Sequence, residues 1–74
     1  MAKSSKGSVY RIVDVVGVST ESWEDAARQA VQTAAKSLRD LRIAEVTKMD
    51  VTVDDGKVSA FRTRLALSFK YEED

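Results

Sequence analysis

The sequence contains no cysteine and no histidine. Without cysteine there is no disulfide and no thiolate metal site. Without histidine there is no imidazole to act as a general base or metal ligand near neutral pH, and a Ser-His-Asp triad is excluded. Glycine occurs three times, singly, at 7, 17 and 56, so no Gly-rich loop can cradle a phosphate. Net charge is also missing: twelve Lys and Arg balance twelve Asp and Glu. The basic excess usual in nucleic-acid binders is therefore absent. No apolar run approaches the ~18 residues of a transmembrane helix. The basic start, 1–8, leads into a stretch interrupted by Arg11 and Asp14 without a small-residue cleavage site. That is not the pattern of a secretory signal, and a cytoplasmic location is expected.

The hydrophobic share is 43% of 74 residues, and nine of those residues are Ala. A single domain is expected, and a domain this small buries only about 60% of its unfolded surface. With no disulfide or thiolate metal to staple it, association with other chains is the remaining stabiliser. Residues 1–8 read as a disordered lead-in to one domain at 9–74.

Val9 to Val16 is β-branched and apolar on both parities, with Val9, Val13 and Val15 on one side and Tyr10, Ile12 and Val16 on the other. Such a strand expects cover on both faces. Gly17 is expected to end it, and Ser19 or Thr20 to cap a helix. Apolar residues at 23, 26, 27, 30, 31, 34 and 38 follow a helical period to about Asp40. The stripe is mostly Ala. Ile43 to Val53 reads as a second strand, and Asp55-Gly56 as a hairpin turn. Val58 to Tyr71 is a third strand. Phe61, Leu65, Leu67, Phe69 and Tyr71 share one parity there, with Thr63 among them, opposite Arg62, Arg64, Ala66, Ser68 and Lys70. Glu72 to Asp74 reads as a solvated acidic tail. The order is β-α-β-β. One helix covers one face of a three-stranded sheet, so an obligate homo-oligomer is expected.

Few residues suggest chemistry. Paired carboxylates are available, but no spacing singles out a pair. Asp50, Asp54 and Asp55 lie near the hairpin without EF-hand spacing and read first as turn chemistry. Trp23 reads as a core or interface anchor ahead of a stacking platform. Arg62 and Arg64 on one strand face suggest ion pairing with Glu45 or Asp50, or contact with an anion. No enzyme is indicated.

From Val9 to Glu73 the chain resembles the dodecin family. The matching pieces are Val-Tyr-Arg-Ile-Val-Asp-Val-Val-Gly at 9–17, Ser19 ahead of an Ala-rich helix, Leu-Arg-Asp-Leu at 38–41, Ala44-Glu45-Val46, the Asp-Gly hairpin, and Leu65-x-Leu67-Ser68-Phe69-Lys70-x-Glu72. The resemblance implies an α+β protomer, its antiparallel three-stranded sheet wrapped around one helix. It further implies a hollow homododecamer that is non-enzymatic and binds or stores flavins such as FMN, riboflavin or lumichrome-like molecules. The family positions that touch the ligand fall on Ile43, Glu45 and Arg62. Flavin binders usually carry a stacking Trp where this chain has Ile43. They usually carry a Gln where Arg62 follows Phe61. Isoleucine has no π-face, and Arg has donors only, whereas Gln has a donor and an acceptor. The resemblance therefore implies a shell with a degenerate flavin site. It is strongest to the calcium-dodecin-like branch, whose ligand would be Ca²⁺ or Mg²⁺. A functional flavin site with Arg62 replacing Gln is the alternative. The expected partners are other copies of the chain and a small molecule or ion, with no nucleic acid and no membrane.

Overall fold

The computed structural model describes residues 7–70. Most of the lead-in, the acidic tail and Tyr71 lie outside the described residues. The elements run β1 (Tyr10–Ser19), α1 (Trp23–Ala35), β2 (Leu41–Asp54) and β3 (Lys57–Lys70). They form one antiparallel sheet in the order β1-β3-β2. No helix is long and apolar enough to cross a membrane among the described residues.

The helix packs on one face of the sheet, over β1 and β3. Thr63, Leu65 and Leu67 of β3 lie beneath it, and Ala26 is the helix residue with no exposure. These residues carry the parity that the alternation of β3 assigns to the core. Gly17 was expected to end β1. Instead the strand continues through it to Ser19, paired with Phe61. Its role is close approach: a Cβ on Gly17 would stand 2.0 Å from the carbonyl oxygen of Ala26. Only glycine lets the Ala-faced helix lie this low on the strand.

The helix start is also displaced from expectation. Its N-cap is Ser22, whose Oγ accepts from the Asp25 N–H at 2.9 Å. Because β1 remains paired to its last residue, Ser19 has a different task. Its buried hydroxyl donates to Asp25 Oδ2 at 2.7 Å and accepts from the Glu21 N–H at 2.9 Å, shaping the strand-to-helix turn. The helix ends at Ala35, short of Asp40. The amides of Lys36, Ser37 and Leu38 bond to the carbonyls of Thr33 and Ala34, which tightens the last turn. Asp40 takes φ 58° and turns the chain so that Leu41 meets Phe69.

At the hairpin, Asp55 and Gly56 have φ 53° and 74°. Two successive positive values are what a type I′ turn requires, as Asp-Gly predicts. The hairpin runs well beyond β1, whose pairing stops at Phe61. Trp23 braces its base: the indole N–H donates to the Asp50 carbonyl at 2.9 Å, and the ring meets Phe61 edge-on at 5.0 Å. The anchor reading of Trp23 therefore holds within the protomer.

One protomer is not a compact body. Its radius of gyration is 15.7 Å, against about 11 Å for a compact chain of this length. Its buried hydrophobic residues are Ala26, Leu65 and Leu67, while Ile12, Val16, Val18, Ile43, Val46 and Met49 remain exposed.

Candidate functional site

The sheet face turned away from the helix carries the chemistry-bearing side chains. Antiparallel register places them in rungs across β1, β3 and β2. Ile12, Ser68 and Ile43 form one rung. Asp14, Ala66 and Glu45 form the next, then Val16, Arg64 and Lys48, then Val18, Arg62 and Asp50. The face thus changes along its length from apolar to acidic to basic.

Arg62 and Asp50 make a fork-to-fork pair. Nε donates to Asp50 Oδ1 and Nη2 to Oδ2, both at 2.7 Å. Bidentate geometry fixes the guanidinium plane as well as the contact. The hydrogen-bonded guanidinium holds the Asp50 carboxyl below the usual carboxylate range, and the nearby charges of Arg64 and Lys48 add to this. In return the carboxylate raises the Arg62 pKa. Both side chains remain more than 40% exposed, so the pair faces solvent in the protomer. Of the two partners expected for Arg62, Asp50 holds it; Glu45 stands two rungs away.

The three family ligand positions share this face, but the protomer does not bring them together. Ile43 is opposite Ser68, six residues along β3 from Arg62. At about 3.4 Å per residue this is roughly 20 Å. Glu45 stands between them, exposed, opposite Ala66. A ligand touching both Ile43 and Arg62 needs a second copy or a long molecule. Ile43 is 53% exposed and offers an aliphatic surface.

Lys48 is a residue that the plain alternation of β2 misplaces. Strict alternation puts it with Ala44 and Val46, towards the helix. A bulge between Val46 and Lys48 reverses this and sets Lys48 opposite Arg64. Thr47, the extra residue, donates its hydroxyl to the Arg64 carbonyl at 3.3 Å. The signal was present in the sequence: apolar parity switches from 44 and 46 to 49, 51 and 53. Val16, Lys48, Asp50, Arg62 and Arg64 together line a shallow depression. Among the described residues no group of three or more carboxylates could hold a metal ion. Asp54 and Asp55 remain exposed at the hairpin turn.

Comparison with known proteins agrees with the fold. The dodecin family model matches residues 9–72. Calcium dodecin of Mycobacterium tuberculosis is 44% identical over 63 residues, covering 85% of this chain and 89% of that protein. Its crystal structure superposes with a TM-score of 0.78 at 42% identity, covering 90% and 96% of the two chains. Dodecin of Thermus thermophilus is 36% identical over 67 residues, covering 90% of this chain and 97% of that one. The dodecin structure from Streptomyces coelicolor gives a TM-score of 0.85 at 36% identity, covering 95% of this chain and all of that one. This β-α-β-β chain belongs to the dodecin family.

Proposed function

We propose that the chain assembles into a hollow homododecameric shell that binds or stores a small ligand without chemical turnover, and that its flavin position is degenerate. The observation that carries the reading is the state of the two substituted positions. Arg62 has its fork engaged by Asp50, and Ile43, some 20 Å away, presents no aromatic face. Stacking needs a π-surface, and recognition of a ring's polar edge needs an acceptor beside a donor. Ile43, Glu45 and Arg62 are the proposed ligand positions, with altered preference. The open helix-free face and the extended protomer supply the surface for assembly. The lack of histidine and cysteine fits a binding role.

Fluorescence titration of FMN tests the degenerate site. Free FMN should keep its emission at micromolar protein. Quenching at micromolar protein or below would establish the alternative, a working flavin site in which Arg62 replaces Gln.

A second reading, a calcium-binding shell, is favoured by the similarity to M. tuberculosis calcium dodecin, whose crystal structure is described as having a novel calcium-binding site. The described residues of one protomer hold no metal cluster. Calcium or magnesium would then draw oxygen ligands from more than one copy or from carbonyl groups. Calorimetric titration of chelator-treated protein with Ca²⁺ tests it. A saturable heat supports the reading, and its absence removes it.

A further inference from the structure

We propose that Lys48 and Arg64 form an anion site on the helix-free face that takes a dianionic phosphate group. The proposal stands apart from the flavin and calcium readings.

The argument begins with the β2 bulge. Like charges placed directly opposite each other on one sheet face are destabilising, because their Cβ atoms lie only about 5 Å apart. Regular alternation would keep Lys48 off this face. The bulge places it there, opposite Arg64. Bulges recur where a strand must re-aim a side chain next to a functional site.

The Asp50 carboxylate attracts these two cations from the next rung, but no nearby carboxylate among the described residues forms an ion pair with either. Asp50 has both oxygens bound by Arg62. Asp14 and Glu45 stand one rung away, flanking Ala66. Neither makes an ion pair with Lys48 or Arg64. Val16, 44% exposed, completes the rung and gives the depression an apolar side. Two adjacent cations, one able to donate through a planar fork and one a mobile point charge, suit a compact doubly charged oxyanion. Asp50 confines the site to these two cations by holding Arg62 in place.

The shared ligand chemistry is the phosphate group, free or as a monoester. Calorimetric titration with inorganic phosphate, ribose 5-phosphate and ribose, at low and moderate salt, separates the sources. Inorganic phosphate binding as tightly as ribose 5-phosphate identifies free phosphate as sufficient, and tighter binding of the ester identifies a phosphorylated molecule. Binding of ribose equal to that of its phosphate overturns the proposal. Lys48→Gln and Arg64→Gln should each weaken phosphate binding by about three- to tenfold, since each removes charge-assisted hydrogen bonds. Asp50→Asn should strengthen it, because the Arg62 fork is released. This gain of affinity cannot come from misfolding. Wild-type protein that binds no phosphate, or Gln variants that bind it as well as wild type, would overturn the proposal. So would an assembly that breaks up in the Gln variants while wild type ignores phosphate, since the cations would then be answered by carboxylates of a neighbouring copy.

Discussion

At the scale of single residues, the Asp50–Arg62 pair sets the acid response of the helix-free face. Its carboxyl has a lowered pKa, so its contribution to stability is fully present above the unfolded carboxylate value of about 4. It is lost as pH falls through the lower folded value. Asp25 behaves alike, its carboxyl held down by the Ser19 hydroxyl and then by Gln29. Thermal melts between pH 6 and 2 should therefore show stability falling mainly below pH ~4. Asp50→Asn should lower the neutral plateau slightly, the pair being exposed, and flatten part of that limb. An unchanged acid limb in both Asp50→Asn and Asp25→Asn would contradict the assignment. The substituted ligand positions give a second prediction. Ile43→Trp with Arg62→Gln restores a stacking face and a donor–acceptor pair, and should raise flavin affinity by at least about fivefold, given 1–3 kcal/mol per stacked aromatic contact. A double variant that quenches FMN no better than the parent would show that these positions do not form the pocket.

At the scale of elements, the helix depends on how closely it can approach β1. Gly17→Ala forces a methyl group into the Ala26 carbonyl, so the helix must lift, at a cost of about 1–3 kcal/mol. Chemical denaturation measures it, and a neutral substitution would contradict the packing described. Ser22→Ala should cost about 1 kcal/mol through loss of the N-cap, and Thr20→Ala far less. The order of elements, the parity of β3 and the Asp-Gly turn were legible in the sequence because each follows from local periodicity or turn chemistry. Gly17, Ser22 and the helix end were not. Their placement depends on how far β1 pairs with β3 and where Leu41 must meet Phe69, which are long-range constraints. The same distinction applies to the site. The sequence suggested ion pairing of Arg62 with Glu45 or Asp50, and Asp50 is the partner. The positions of Lys48 and Arg64 as neighbours depend on a bulge, visible only as a switch of apolar parity between Val46 and Met49.

At the scale of the whole molecule, the exposed surfaces follow one logic. A helix of small residues covers β1 and β3 and leaves the other sheet face open, along with the β2 side of its own face. The projecting hairpin makes the protomer 58 Å long and only 14 Å thick. Such a body has too little interior to be stable as a lone domain. In the proposed shell, neighbouring copies complete the core, and the exposed apolar residues of the open face offer them area. The most direct test is the solution mass by light scattering in moderate salt. The account predicts a single species of about 98 kDa, twelve times the 8.2 kDa chain. A folded species of one or two chains would contradict it.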